Sequence, residues 1–406
     1  MFRSRSFLRR AWAVGLVVAM CAGRTLADKP SSLTVKGVDR ALGETPVVID
    51  GVHDLLPGNY AFATPDGRSI RRANVYLDEE MNGHFAAILD DVPPNVSLGY
   101  KLTGDPMPTV PSFGVDMIPR GRRIEIRVDG DLVTEYIPDD GPKPYFFPLI
   151  APSGASMTRA YPMKSVAGEK RDHPHHRSFW FTHGSVNKVD FWSEAPGHGR
   201  IVETARPIVV GGAAMGILRT KDDWIGPDGR KICEDERTLR VYATRKSRIL
   251  DFDVTLKATE GPVTFGDTKE GMFGLRIATT MDVTSKQGGR IVNAEGVEDV
   301  AAWGRPSPWV DYSGPVDGKV VGVAILNQPS SFRFPTTWHV RDYGLFAANP
   351  FGWHDFGRKE SGEFVLERGL SIAFRYRIIL HDGAAASARL ADQFAAYAES
   401  PRAIID

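Results

Sequence analysis

The chain has 406 residues, 42% of them hydrophobic, which is enough for a large buried core and for two or three domains. Fifty Lys and Arg residues balance fifty Asp and Glu residues. The resulting formal net charge of +0 excludes the overall positive field that is typical of nucleic-acid-binding proteins. The 41 glycines and 28 prolines favour many short strands joined by turns. Composition therefore predicts an all-β protein with no nucleic-acid partner.

The first 27 residues have the parts of a secretory signal peptide. Residues 1–10 contain four arginines and no acidic residue, residues 11–23 are mainly apolar, and small residues precede a cleavage position after Ala27. The apolar run of about 13 residues is shorter than the ~20 of a spanning helix, and an uncleaved anchor is the alternative interpretation. We predict an exported protein, periplasmic or extracellular, without stable membrane insertion. Cleavage would leave Cys233 as the single cysteine, without a disulfide partner.

The chain after the leader divides into two predicted domains. Residues 28–103 alternate short β-like runs with turns, which is typical of a small β-sandwich. Residues 104–119 contain four prolines and are the predicted linker. The remaining residues, 120–399, form the predicted main domain.

Strand patterns dominate this main domain. In 250–256, apolar Leu250 and Phe252 alternate with acidic Asp251, and in 372–378 apolar residues alternate with arginines. A period of two places the apolar set on the core face and the polar set toward water or a cleft. The segment 385–399 has the apolar spacing of a helix. We therefore predict a large two-sheet β-sandwich of the supersandwich kind, with one C-terminal helix.

Five of the ten histidines lie between residues 173 and 198. Pro174 cannot donate a hydrogen bond to a sheet, so residues 172–175 are predicted as a loop and 176–183 as a strand. The odd-numbered side chains, including His175 and His183, then face one way, and the even-numbered ones, including His176 and Trp180, face the other. One of these two sets is expected to face a site. Histidine titrates near neutrality, so these imidazoles are candidate proton-transfer groups; the alternatives are metal ligation and structural roles.

Metal ligation can be compared with known ligand spacings. A cupin-type site needs His-x-His followed three or four residues later by Glu, and those positions after His175 hold Ser178 and Phe179. The sequence therefore predicts no cofactor. If a metal ion does bind, the expected ligands are His173, His175 and His176.

The segment 261–277 reads as strand, tight loop and strand, with a predicted carboxylate base at Glu270. On a straight strand Glu270 would stand ~20 Å from Arg276, which forbids a direct pair. An ordinary turn glutamate paired with Lys269 is the alternative. The aromatic stretch 349–356 carries another His-Asp pair and is the predicted rim loop of a cleft.

Two groups of candidate site residues follow from these patterns. The predicted catalytic residues are His175, His176, His183 and Glu270. The predicted substrate-binding residues, which include aromatic rings suited to sugar C–H surfaces, are Arg159, Arg177, Asp267, Arg276, Trp180, Trp192 and His354.

Several of these motifs together resemble the PmoA-type family of exported bacterial proteins over residues ~120–395. The shared segments are PYFFPL at 144–149, TR at 158–159, DHPHHRS at 172–178, FTHG at 181–184, DFW at 190–192 and FGDTKEGMFG at 265–274. The label of that family, a methane oxygenase, implies metal chemistry. The membrane-embedded methane monooxygenase subunit of similar name needs several transmembrane helices, and the sequence predicts none after the leader. A weaker pattern similarity to galactose-mutarotase-like supersandwiches implies sugar chemistry with a histidine acid and a glutamate base.

The sequence thus predicts an exported carbohydrate-active enzyme with His/Glu acid–base chemistry, of epimerase, lyase or hydrolase type. Its expected partner is a carbohydrate or other small-molecule ligand. One alternative is a non-catalytic glycan-binding module that grips its ligand through Trp and Arg. The other is the metal-dependent oxygenase that the family label implies.

Overall fold

A computed structural model describes residues 32–64, 66–68, 70–90, 92–102 and 113–405. The fold is nearly all β, with several antiparallel sheets and one helix near the C-terminus. The predicted signal peptide lies outside the described residues. Within those residues, the structure contains no helix long and apolar enough to cross a membrane.

The strands of the N-terminal part are β1 (Ser32–Val35), β2 (Thr45–Asp50), β3 (Gly58–Ala63), β4 (Ile70–Leu77), β5 (Gly83–Leu89) and β6 (Leu98–Leu102). The next eleven are β7 (Val115–Arg120), β8 (Arg123–Val128), β9 (Asp131–Ile137), β10 (Tyr145–Phe146), β11 (Phe179–His183), β12 (Arg200–Glu203), β13 (Ile208–Val210), β14 (Met215–Ile225), β15 (Lys231–Tyr242), β16 (Ser247–Lys257) and β17 (Val263–Phe265). The last elements are β18 (Gly271–Arg276), β19 (Arg290–Asn293), β20 (Trp309–Val316), β21 (Lys319–Asn327), β22 (Trp338–Val340), β23 (Leu345–Ala348), β24 (Phe364–Leu366), β25 (Ser371–Asp382), α1 (Leu390–Ala398) and β26 (Ala403–Ile405). Short 3-10 helices cover Thr279–Met281, Val283–Ser285 and Asp299–Ala302.

Two large sheets enclose the main core. One has eight strands in the order β22-β23-β18-β11-β10-β9-β8-β7, and the other runs β12-β14-β15-β16-β25-β21-β20-β19 with β13 beside β14. Rings from facing strands meet between them, as where Phe252 contacts Phe179 and Phe273 at centroid distances of 4.9 and 5.6 Å. Phe252 and Phe374 belong to this core while Asp251 and Arg377 do not. The predicted two-sheet sandwich and its strand alternation are confirmed.

The N-terminal part is one continuous seven-stranded sheet, in the order β2-β5-β4-β3-β6-β1-β26. Strands β3 and β6 pair over only two residues, and side chains from both halves of the sheet share one core. Its seventh strand comes from the C-terminus, because β26 pairs with β1. The N-terminal sheet therefore includes residues 403–405 in addition to strands from the predicted domain 28–103. Most of the predicted linker lies outside the described residues, but 115–119 belong to β7, which pairs with β8 in the eight-stranded sheet.

The helix α1 matches the predicted C-terminal helix within 385–399. Its Leu390 and Tyr397 share a buried cluster with Ile88 of the N-terminal sheet and Ile379 of the nine-stranded sheet. Thus α1 and the N-terminal sheet cover part of the outer face of the nine-stranded sheet. The outer face of the eight-stranded sheet carries the predicted histidine cluster.

Candidate functional site

The site is built on β11 and β18, which are adjacent in the middle of the eight-stranded sheet. Phe179 and Phe181 of β11 point into the main core, so Trp180 between them points outward. Gly274 lies directly opposite Trp180, and a Cβ there would approach the indole to 2.7 Å. A glycine at 274 is therefore needed for the Trp180 ring to lie flat on the sheet.

Four nearly parallel rings form a column above this glycine. Trp180 stacks on His176 at 5.2 Å and 17°, and His176 stacks on His173 at 4.7 Å and 8°. His173 in turn stacks on Tyr343 at 5.4 Å and 7°. Trp180 and His176 are buried, whereas the His173 side chain is 40% exposed. We call these four residues the ring column; it runs from the sheet surface to solvent.

Asp172 is hydrogen-bonded to His173 and to two arginines. Its carboxylate accepts from His173 Nδ1 at 2.8 Å and from Arg276 Nη2 at 2.8 and 2.9 Å, and it also accepts from Arg159. Both guanidinium side chains are at most 1% exposed, while Asp172 is 38% exposed. Burial opposes ionisation, but Arg276, His173 and Arg159 together lower the pKa of Asp172 to about 2. Asp172 is therefore an ionised anchor and orients His173.

His176 lies inside the ring column rather than at its surface. Arg276 Nη1 lies 3.3 Å from His176 Nδ1, and because a guanidinium can only donate, Nδ1 accepts and Nε2 carries the proton. Burial and the nearby positive charges of His175 and Arg276 lower the pKa of His176 well below its usual range. The residue is 1% exposed, with Trp180 and His173 covering both ring faces. His176 is thus buried inside the ring column, where it contacts Trp180, His173 and Arg276 rather than solvent.

The other two predicted catalytic histidines have different surroundings. His175 belongs to the cluster, with its ring edge-on to His176 at 4.5 Å, and burial followed by the charges of Lys143 and His173 lowers its pKa to about 4. His183 faces the core side with Phe181, as its odd-numbered position requires. Its Nε2 bonds the Gly266 carbonyl at 2.9 Å, and burial lowers its pKa to about 4. The structure does not bring His183 to the ring column, which is a correction to the prediction.

Glu270 precedes β18 and is not a straight continuation of it. The carbonyl of Lys269 accepts a 2.7 Å hydrogen bond from His339 Nδ1, and His339 lies level with Gly274 across β23. The chain at 269–270 therefore folds back over the outer face. Among the described contacts, Glu270 and Arg276 form no direct pair: Glu270 contacts Lys269 and Thr268, while Arg276 contacts Asp172 and His176.

The Glu270 carboxylate is 33% exposed, and burial raises its pKa. Lys269 Nζ lies 3.7 Å away, and Thr268 Oγ1 donates to Glu270 at 3.4 Å. Within the described part of the chain, no arginine neutralises this carboxylate. Glu270 is thus a partly exposed acid whose pKa is shifted toward neutrality.

Tyr343 stacks on His173 at the outer end of the ring column. The sequence analysis did not identify this residue. Burial raises the pKa of its hydroxyl; Arg341 and Arg276 oppose this rise, and the charges of Glu270 and Asp172 add to it. Both carboxylates thus raise the pKa of the same hydroxyl. The available signal was the Asp342-Tyr343-Gly344 sequence, in which Gly344 adopts φ +101° in the hairpin turn between β22 and β23.

Several predicted substrate-binding residues have structural contacts instead. Arg177 forms a two-bond ion pair with Glu194 at 3.0 Å, and buried Lys143 reaches the same carboxylate at 2.7 Å. Trp180 and Trp192 are 1% and 2% exposed, so neither offers a free ring face to a sugar.

The predicted rim loop is anchored by Asp267. This carboxylate is 8% exposed and accepts from the main-chain N–H groups of His354 and Gly362. The His354 ring is 58% exposed, with Nδ1 3.0 Å from Asp267. Asp267 therefore holds the loop in place, and His354 lies at the loop surface.

The histidines of the cluster do not form a metal site. Rings of His173 and His176 are parallel, so their in-plane lone pairs cannot converge on one ion at the ~2.0–2.1 Å of a metal–nitrogen bond. The Nδ1 atoms of both rings are already used by Asp172 and Arg276. Among the described residues, no group of three or more His, Cys, Asp or Glu side chains is arranged to hold a metal.

The protein is thus all β, with two large sheets and a histidine–arginine–aspartate cluster on one outer face. The chain belongs to the family DUF6807, described as a family of unknown function, which matches residues 123–395. This range agrees with the segment of the predicted resemblance, but the matched family is DUF6807 and not a PmoA family. No curated protein sequence matches the chain.

Solved structures that the chain matches include two from Enterococcus faecalis and one from Lactobacillus casei ATCC 334. The first, a protein in the glycosyl hydrolase family 38, is 10% identical, with a TM-score of 0.42 over 94% of this chain and 48% of its own. An alpha-mannosidase from strain V583 is 11% identical, with a TM-score of 0.39 over 93% and 46%. A galactose mutarotase-like protein is 8% identical, with a TM-score of 0.27 over 66% and 100%. The chain thus spans about half the length of the first two.

Proposed function

We propose that this protein is an exported carbohydrate-active enzyme that performs acid–base chemistry on a sugar ring. The proton-transfer pair is His173 and Glu270, on the outer face of the eight-stranded sheet. Export rests on the signal peptide predicted at 1–27, and the sugar rests on the polar, partly exposed character of the site. The observation that carries the proposal is the ring column, in which the partly exposed His173 is bonded to Asp172 and stacks on Tyr343.

His173 has the contacts that a proton-transfer histidine needs. Its Nδ1 is bonded to Asp172, which leaves Nε2 on the exposed edge of the ring. Asp172 is fixed in turn by two buried arginines, so the imidazole is held in one orientation. This histidine replaces His175, His176 and His183 as the proposed acid, because within the ring column it is the histidine with an exposed side chain, at 40%.

Glu270 has the properties of the complementary base. A carboxylate whose pKa is raised toward neutrality by burial accepts a proton more readily than an ordinary surface glutamate. Asp172 is locked between arginines and cannot serve as a second reactive carboxylate. This favours a reaction that one carboxylate and one imidazole can perform, an epimerisation or an elimination, over a two-carboxylate hydrolysis.

The experiment is a turnover screen against a saccharide panel, followed by two substitutions in the proposed pair. Glu270→Gln and His173→Asn are each expected to lower turnover by ~10²-fold or more without loss of folding. Glu234→Gln is the matched control, because Glu234 is 30% exposed and pairs with a lysine as Glu270 does. His84→Asn is the control for an imidazole bonded to aspartate, at a distant place in β5.

Unchanged turnover in both variants would show that the pair is not catalytic. Saccharide binding without any turnover in the unmodified protein would instead support the glycan-binding module.

A further inference from the structure

The charges beside Tyr343 show which kind of sugar this site suits. Arg276 lies over the Tyr343 ring at 5.0 Å, and Arg341 lies over the same ring at 5.4 Å. Arg276 shares its one carboxylate partner, Asp172, with Arg159. Arg159 and Arg276 thus share the single negative charge of Asp172, and Arg276 lies beside Tyr343, where we propose that the sugar binds.

Arg341 is the third guanidinium of this group and differs from the other two. Across the part of the chain that the structure describes, its contacts are with the rings of Tyr343 and Trp303 and not with a carboxylate. It is half-buried, at the start of the hairpin turn that carries Tyr343. Its charged end is therefore available to a ligand that contacts Tyr343.

Two further carboxylates beside the cluster are already bonded elsewhere. Glu169 accepts from the main-chain N–H groups of Ala160 and Tyr161, at 3.0 and 3.1 Å. Glu194 is bonded to both Lys143 and Arg177. A positive charge in a half-buried place favours an anionic ligand group, and a guanidinium binds a carboxylate through two parallel hydrogen bonds.

We propose that the substrate of this site is a sugar acid, a uronic acid or an oligosaccharide that contains one, whose carboxylate is bound by Arg341. This inference rests on the proposed function and adds the substrate class to it. The carboxylate lies against Arg341 and Tyr343, and the sugar ring extends from there toward Glu270. Arg159 and Arg276, which are buried, act through their charge and through Asp172.

The test compares saccharides that differ only in this charge. Calorimetric titrations would use trisaccharides of galacturonate, glucuronate and mannuronate, each beside its fully methyl-esterified form. At least one acid is expected to bind about tenfold or more tightly than its ester. Arg341→Gln is expected to remove this preference, and Arg341→Lys, which keeps the charge, to retain part of it.

Arg358→Gln is the matched control, because Arg358 also lies over a tryptophan ring, that of Trp353 at 4.8 Å. It is expected to leave the preference for the acid unchanged. If esters or neutral sugars bind as tightly as the acids and Arg341→Gln has no effect, the sugar acid is wrong while the proposed function stands. If no saccharide binds, acidic or neutral, the proposed function fails, and this inference fails with it.

Discussion

On the outer faces of the two large sheets, the cations that we compare pair with carboxylates in different ways. On the nine-stranded sheet, Arg377 pairs with Asp251 through bonds of 2.7 and 2.8 Å, and Arg240 pairs with Asp253 at 2.6 Å. Each of these cations has a carboxylate of its own. Tyr397 of α1 lies 4.4 Å over Arg377, so this face is partly covered by the rest of the protein.

On the eight-stranded sheet, two arginines share Asp172, Lys143 and Arg177 share Glu194, and one further arginine contacts only rings. A one-to-one pair satisfies both of its charges, and removing either partner leaves the other buried and alone. Where two cations share one carboxylate, one positive charge remains, and an anionic ligand can neutralise it. We propose that the one-to-one pairs stabilise the fold and that the shared carboxylates belong to the binding site.

The largest expected effect is on stability at the one-to-one pair. Asp251→Asn leaves Arg377, which is 4% exposed, without its carboxylate, at an expected cost of about 3–5 kcal/mol in the free energy of unfolding. Asp172→Asn should cost less, about 1–3 kcal/mol, because Asp172 is 38% exposed and Arg159 keeps carbonyl acceptors at Tyr161 and His173. Urea unfolding of the two variants measures the difference. A larger loss for Asp172→Asn would contradict the assignment of the two faces.

A smaller effect is expected from pH, through His183 on the core side. Burial lowers its folded pKa to about 4 from the ordinary 6.5, so the unfolded chain takes up a proton first as the pH falls. This contribution to stability is complete above about pH 6.5 and is lost progressively as the pH falls toward 4. His183→Asn should reduce the stability difference between about pH 7 and about pH 5 by about 1–2 kcal/mol.

The measurement for this prediction is urea unfolding at the two pH values. His354→Asn is the control for replacing a histidine by asparagine, because its ring is 58% exposed at the loop surface. An unaltered pH dependence in His183→Asn would show that the buried imidazole does not control the acid sensitivity.

Much of the fold could be predicted from local patterns. Strand alternation in β16 and β25, the helix α1 and the two-sheet sandwich depend on residues close together in sequence. The seventh strand of the N-terminal sheet could not be predicted in this way, because β26 has three residues and its partner Leu33 is far from Ile405 along the chain. No periodicity within three residues identifies such a partner.

The segment in which we propose the site follows from the sequence, but the contacts of its residues do not. The density of histidines pointed to this segment. The predicted strand 176–183 is shorter in the structure, where β11 begins at Phe179, so that His175 and His176 lie together in the cluster instead of on opposite faces. The place of His173 in the ring column depends on Tyr343, which stacks on it. Tyr343 comes from a hairpin turn that joins strands on the other side of β18. The sequence contains no local signal for that contact.

The measurement that tests the central claim most directly is a crystal structure of Glu270→Gln bound to the saccharide that the unmodified protein turns over. The account predicts a sugar on the outer face of the eight-stranded sheet, in contact with Tyr343, His173 and residue 270. The competing location is the cleft of about 550 Å³ between the N-terminal sheet and the nine-stranded sheet, lined by Asp251 and Arg377. A sugar bound in that cleft, with none at the ring column, would contradict the account.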